Sequence, residues 1–590
     1  MHYKSKKLLW TMILLIMSLF LFTGCQKNKA DLVPDKQIQT DLDSENAHSQ
    51  FLAYTNQLFM KEVTSDSITL HYTVASPEAL SIPEQTPTLG HISEQSRLDS
   101  IAQVSDYLKE LKNISYDALP KEDQITYDII KWQFETIESS KDFSYFQESI
   151  SPVIGIQAQL PILLAEYEFR CSKDIEDYLL LLRELPQYYD EQLAYEKEKA
   201  AAGLFMADFT VDTIEQQCND FLCDVESHYL TTTFNQKIDS LSWLSDEQKD
   251  QFRQISLNTL TEYVYPAYKK LSEGLTALKD TNTNKEGLCH FPNGKEYYAF
   301  LVKRSTGSES TPEELIKRTQ KQIQKDLQAM SVVIDQKPEV LENLQDLSVS
   351  FSKPEEILTH LQESMKDDFP TPPAVNYTVK YVDPSLEEHL SPAFYLTPPI
   401  DRISQNVIYI NSPSFRDNIQ LFTTLAHEGY PGHLYQNVFS QSTNPDKIRS
   451  LFSFPGYAEG YATYAEMYSY NYLGLGQEVS SLLQLSSSVT LGLYASLDLG
   501  IHNQGWSIED ARNFLHKYGI QDETAITQMY QAIVAEPGNY LKYYVGYLEF
   551  LTLREKAEKL WGNDYSDKKF HQYILQMGDA PFTVLEKYLK

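Results

Sequence analysis

Basic residues are in short supply: 50 Lys and Arg stand against 82 Asp and Glu, a formal net charge of −32. A surface this acidic repels phosphate backbones and argues against a nucleic-acid partner; its plain use is solubility. Glycine is scarce too, at 22 of 590 residues. With Leu, Glu, Lys and Gln abundant, that favours helix. Cysteine appears five times, as Cys25, Cys171, Cys218, Cys223 and Cys289, with no C-x-x-C pair. The spacing argues against a cysteine metal cluster. One or two disulfides among the last four stay open if the body is exported. No internal repeat, heptad array or low-complexity tract is present, which sets aside solenoids and coiled coils.

What is there begins with an address. Lys4, Lys6 and Lys7 precede an apolar run over residues 8–22, which ends at Thr23-Gly24-Cys25. A basic start, a short apolar stretch and small residues form a secretory signal, and the run is too short for a comfortable membrane span. Thr23-Gly24-Cys25 resembles a bacterial lipobox, with Phe22 where Leu is usual. The resemblance implies that Cys25 becomes a lipidated first residue on the extracytoplasmic face of the cell membrane. An uncleaved anchor or plain secretion is the alternative, and either also places the body outside the cytoplasm. Residues 1–24 read as signal peptide. Residues 25–50, polar and poor in large apolar side chains, read as a flexible tether.

From Phe51 onward helical periodicity dominates. Ile101, Val104, Leu108 and Leu111 mark one apolar face, and Tyr127, Ile130 and Phe134 a second. Ile175, Tyr178, Leu179 and Leu182 predict a helix ended by Pro186, and Phe221, Val225 and Tyr229 continue the pattern. Between Ile255 and Val264 the stripe blurs. Thr311-Pro312-Glu313-Glu314 suits a helix start, with Thr311 as cap. Turn-rich residues 281–284 and Phe291-Pro292-Asn293-Gly294 predict a boundary between a helical lobe over 51–290 and another over 291–590. Within the second, Val375, Tyr377, Val379 and Tyr381 alternate with polar residues, and 393–396 and 407–410 are short apolar runs. A small β-sheet is predicted there, with Ser412-Pro413 as cap and first position of the helix that follows. An edge strand of that sheet could pair with an extended peptide, or simply pack on the core. The fold class expected is mostly α.

That helix leads into His427-Glu428-Gly429-Tyr430-Pro431-Gly432-His433. In a zinc hydrolase neutral imidazoles bind the metal and a carboxylate polarises its water. The common arrangement, H-E-x-x-H, puts two His on one helix face. Here the two His are six residues apart, about 240° of rotation on an unbroken helix, which is the wrong face. Pro431-Gly432 lies between them and can break the helix, returning His433 to the metal. Glu459 is the best candidate for a third ligand. Glu466 stands seven residues further, on the same helix face, so that one could bind zinc while the other orients a histidine. A solvated pair of acids is the bland alternative.

These segments resemble the bacterial family named "domain of unknown function 885", whose signature is H-E-x-x-P-G-H. Glu459-Gly460-Tyr461-Ala462-Thr463-Tyr464-Ala465-Glu466 resembles its E-G-W-A-x-Y-x-E motif, with Tyr461 for the usual Trp. Ser151-Pro152-Val153-Ile154-Gly155, Asp498-Leu499-Gly500-Ile501-His502 and Tyr543-Tyr544-Val545-Gly546 match other blocks in order. The family in turn resembles the helical zinc peptidases of the gluzincin type, which implies two lobes around a deep cleft. By chemistry and by that likeness, His427, His433 and Glu459 hold zinc. Glu428 is the general base for a metal-activated water, and Tyr543, or else His502, stabilises the oxyanion. Arg554 is a candidate grip for a substrate carboxylate, with a helix salt bridge as its alternative. The function expected is an extracytoplasmic zinc peptidase with a peptide substrate and a lipid anchor. The alternatives are a peptide- or metal-binding surface lipoprotein without turnover, and hydrolysis of a non-peptide amide or ester.

Overall fold

Apolar residues at three- and four-residue steps form helices wherever a cap lets one begin. Thr311 is the clearest case. Its hydroxyl accepts from the Glu314 N–H while Glu314 Oε2 accepts from the Thr311 N–H at 2.8 Å, so Pro312–Gln336 starts at a closed capping box. The two apolar faces expected earliest lie in the helices Glu94–Lys112 and Lys121–Glu138. The computed structural model describes residues 44–590 apart from 282–283, 345–346, 348, 350, 352, 383, 385–386 and 388–389. The signal segment, Cys25 and the tether up to residue 43 lie outside the described residues. The fold is mostly helical with a small sheet, and among the described residues no helix is long and apolar enough to cross a membrane.

Several boundaries differ from expectation, each for a local reason. The first described helix, Ser44–Val63, begins inside the expected tether because Ala47 and Phe51 are fully buried and give it a core face. Ser172–Ala201 runs through Pro186. A helix-interior proline costs about 3 kcal/mol. Burying each large apolar side chain returns ~1.5–3 kcal/mol, and Leu185, Tyr188 and Tyr189 are all buried around it. Phe221 and Tyr229 do not share a helix: Asp208–Phe221 ends, and Tyr229–Ser240 starts afresh where the His228 ring accepts from the Leu230 N–H at 3.1 Å. The blurred stripe has a structural cause. A π-helical turn, Leu260–Val264, sits between Asp246–Thr259 and Tyr265–Thr276, and its extra residue rotates the apolar face. The four body cysteines are free thiols on separate elements rather than disulfides.

The buried side chains do not divide at residue 290. Phe51, Leu108 and Phe134 pack into one core with Leu425, Tyr461 and Phe550. The Tyr116 and Tyr588 hydroxyls meet at 2.9 Å, across nearly the whole chain. A second core gathers Leu181, Tyr189 and Tyr268 and reaches Phe394 and Tyr409 of the sheet. Most of the first hundred described residues therefore pack with the C-terminal half, while Ile68 and Leu89 join the second core with the intervening helices.

The sheet has three strands in the order β1-β3-β2, with β1 Asn376–Tyr381 parallel and β2 Ala393–Leu396 antiparallel to the central β3 Gln405–Ile410. β2 is thus an edge strand, and its buried residues face the helical core.

Two helices meet at main-chain distance. Gly460 of Pro455–Ser469 faces Gly546 of Leu541–Trp561. A Cβ on Gly546 would stand 2.2 Å from the Gly456 carbonyl oxygen and 2.7 Å from Gly460 Cα. Gly546→Ala is expected to destabilise the protein. Overpacking costs about 1–3 kcal/mol, more than the ~0.4–1 kcal/mol that a stiffer unfolded chain contributes. A lowered melting temperature relative to wild type checks this.

Candidate metal centre

The motif helix spans Asn418–Glu428. Its cap is Asp417, whose carboxylate accepts from the Gln420 N–H at 2.8 Å. Ser412 is not the cap: Ser412–Ser414 forms a separate 3₁₀ turn with Pro413 in it. The helix stops after Glu428, and a new one, His433–Ser442, starts at His433 itself. Between them the backbone doubles back so closely that a Cβ on Gly432 would lie 1.8 Å from the His427 carbonyl oxygen. The Tyr461 hydroxyl donates to the Pro431 carbonyl at 2.9 Å and holds the turn from the next helix. The result puts the two imidazoles side by side, centroids 4.8 Å apart and planes at 82°.

Pro455–Ser469 supplies the acids. Glu459 Oε2 lies 3.5 Å from His427 Nε2 and 3.5 Å from His433 Nε2. Tetrahedral zinc with bonds near 2.0–2.2 Å has ligand–ligand edges of about 3.4 Å, so these three atoms fit the corners of such a site. One turn-pair along the same face, Glu466 Oε2 lies 3.2 Å from His427 Nδ1, where it orients the ring with Nε2 directed at the cluster. Glu428, next to His427 in the chain, is buried, and its Oε2 accepts from the Tyr395 N–H of β2 at 3.0 Å.

Buried acids and imidazoles divide the charge between them. Burial disfavours a charged His427, yet hydrogen bonds to Glu459 and Glu466 and the charge of Glu428 outweigh it and push the ring up to about 10. Burial alone would raise Glu459; His427 and His433, with Lys542 further off, hold it well below the ordinary carboxylate range. Glu428 goes the other way, raised chiefly by burial and also by Glu459. The two glutamates most exposed to the same histidines are thus driven apart.

Tyr543, on Leu541–Trp561, lies in the field of Glu459 and Glu428, with its buried hydroxyl unbonded among the described residues. Its neighbour Lys542 was not singled out from sequence. The Lys542 ammonium is also buried without an acceptor among the described residues, and the charges of Glu459 and Glu536 act on it. The sequence signal was a lysine inside an otherwise tyrosine-rich, glycine-containing helix start. Glu536 in turn accepts from the Val153 N–H at 2.6 Å, tying the 151–155 segment to this region.

Two sequence candidates stand elsewhere. His502 is not brought to the cluster as a free donor: its Nδ1 accepts from the Leu288 N–H at 3.1 Å and its Nε2 donates to the Ile533 carbonyl at 2.9 Å. Both ring nitrogens serve the backbone of two neighbouring elements, the turn Leu288–His290 and the helix Glu523–Ala535. Arg554 is engaged by Asp567 at 2.8 Å, by Glu558 at 3.3 Å and by the Tyr565 hydroxyl at 3.0 Å, which is the salt-bridge alternative rather than a substrate grip. A cavity of about 170 Å³ adjoins His433, and Arg449 and Asp579, neither foreseen, carry the full charges in its lining.

Burial pushes His502 down to about 4 from the ordinary 6.5. The depressed value means that its neutral ring contributes fully above about pH 6.5 and less as pH falls toward 4. His502→Gln is therefore expected to cost about 1–3 kcal/mol at pH 7.5. The gap to wild type should narrow at pH 4.5, as read from urea unfolding at both values.

Two solved structures are similar to this chain. One, from Colwellia psychrerythraea, has a TM-score of 0.82 at 18% identity and covers 92% of this chain and 98% of its own. The other, from Shewanella oneidensis and of unknown function, has a TM-score of 0.59 at 16% identity, covering 93% and 99%. Both descriptions carry the words "putative lipoprotein". At these identities the likeness shows the fold. No curated protein matches the chain. The model of one family, described as "Bacterial protein of unknown function (DUF885)", matches residues 79–589, and the chain belongs to that family.

Proposed function

We propose that the protein is a zinc-dependent peptidase acting outside the cytoplasm, with Glu428 as general base. The observation that carries this reading is the shared oxygen of Glu459, 3.5 Å from both imidazole nitrogens, with Glu428 beside it. The order His-Glu…His…Glu, with the last acid on a later helix, is also that of gluzincin-type peptidases. His427, His433 and Glu459 would hold the ion, whose chemistry is Lewis-acid polarisation of a carbonyl and of water.

The chain's own groups supply the rest. Glu428, held in place by the Tyr395 N–H, takes a proton from the attacking water and returns it to the leaving amine. Its burial favours the protonated form, which suits the second half of that task. The Tyr543 hydroxyl, without a partner among the described residues, donates to the developing oxyanion. β2 is an edge strand; beyond Tyr395, whose N–H Glu428 holds, its end at Leu396 can meet an extended peptide. Metal storage alone has no use for a carboxylate placed as Glu428 is. Thr23-Gly24-Cys25 and the lipoprotein descriptions of the two similar structures support a lipid-anchored, extracytoplasmic placement.

Metal analysis of the purified chain and a peptide-library digest test this together. Glu428→Gln should lower cleavage by about 10²-fold or more while zinc content stays at that of wild type; full cleavage by this variant would sink the mechanism. If zinc-loaded wild type binds peptides and cleaves none, the protein is a binding lipoprotein. Glu466→Gln should weaken metal affinity by about 10–100-fold through the loosened His427 ring, measured by chelator competition.

A further inference from the structure

The cavity beside His433 runs between two walls. Tyr395, Pro398 and Ile400 of β2 and the segment after it form one, and Gln436 and Ser440 of His433–Ser442 form the other. Most of the remaining lining is hydroxyl, amide or apolar. In a protein of net charge −32, a guanidinium facing such a space is a local exception. Arg449 belongs to the 3₁₀ turn Lys447–Leu451.

How Arg449 is held matters more than its presence. Its Nη2 donates to the Met577 carbonyl and, at 3.2 Å, to that of Asp579. Two carbonyls use up that nitrogen and fix the plane of the group. Among the described residues Nη1 and Nε have no acceptor, and the side chain enters no ion pair. Asp579 lines the same cavity yet offers Arg449 its main-chain oxygen rather than its carboxylate. The charge is therefore positioned without a direct ion pair: the Asp579 and Asp446 carboxylates act on it only through space, and Nη1 stays free to donate.

Resting on the peptidase reading above, we propose that Arg449 anchors a carboxylate of the bound peptide through Nη1, so that the site selects substrates carrying one. Such a charge-assisted hydrogen bond is directional and short. With Nη2 already committed, the grip comes from one nitrogen rather than from a two-pronged fork. The carboxylate can be the peptide's C-terminus or an Asp or Glu side chain; these differ in substrate, not in the chemistry that recognises them.

Four peptides of one backbone separate the sources: a free acid with neutral side chains, its C-terminal amide, the amide with one Glu, and the amide with Gln in its place. Each is given to the full mature chain loaded with zinc, as wild type, Arg449→Gln and Arg449→Lys. Gln keeps an amide donor but is two bonds shorter than Arg, so melting curves check that the variants are folded. Wild type is expected to favour one carboxylate peptide over its neutral partner by about 10- to 100-fold in kcat/KM, mostly through KM. Arg449→Gln should collapse that ratio toward one, with Arg449→Lys between. A preference for the free acid assigns the C-terminus; a preference for the Glu amide assigns the side chain. If all four are cleaved alike by wild type and Arg449→Gln, the anchor is wrong and the peptidase reading stands. If none is cleaved, the peptidase reading fails, and equilibrium binding of the same peptides decides the anchor. Carboxylate preference lost in Arg449→Gln upholds it; equal binding of acid and amide overturns it.

Discussion

His427 and His433 can share a point in space because the backbone folds back between them, and it can fold back because residue 432 has no side chain. The His427 carbonyl occupies the place a Cβ would take, 1.8 Å away. Everything at the site inherits this reversal. It ends one helix one residue past an imidazole and starts the next on another, and it presents both rings to one oxygen of Glu459. Tyr461 fastens the turn to the helix that carries Glu459, so the candidate ligands on separate helices are linked twice, by side chain and by main chain.

The site was legible where chemistry and spacing are local. His427, Glu428, His433 and Glu459 declare themselves as types that handle metal and protons. The odd six-residue step even announced a break, because an intact helix could not serve both rings. Lys542, Arg449 and Asp579 were illegible for the opposite reason: each matters through what is missing around it after folding, an acceptor or a counter-charge, and no spacing encodes that. His502 misled because a histidine in a motif reads alike whether its nitrogens face a substrate or, as here, two backbone groups.

The fold was legible to the extent that burial follows periodicity. Capping at Thr311 carried through, and so did the alternation of β1 as far as Val379, while Tyr381 is exposed. Pro186 shows where propensity yields: one lost hydrogen bond is small against the buried tyrosines and leucines flanking it. The π turn at Leu260–Val264 shows the converse, a real helix whose face wanders by a residue and so loses its rhythm in sequence. The cores do not divide at 290 because turn signals mark where a chain bends, whereas a core is made by segments that may be far apart along it.

That last point bears on how the protein is made. Thr55 meets Asp446 at 2.6 Å and Lys587 meets Asp128 at 2.7 Å, so the opening helices find their partners hundreds of residues later. Loops of that length must close before those contacts return anything. On a ribosome releasing the chain from its N-terminus, the first helices have no finished core until the final turns emerge. A chain wired this way stays unfinished through nearly all of its synthesis, the condition in which a polypeptide can still be threaded through a membrane.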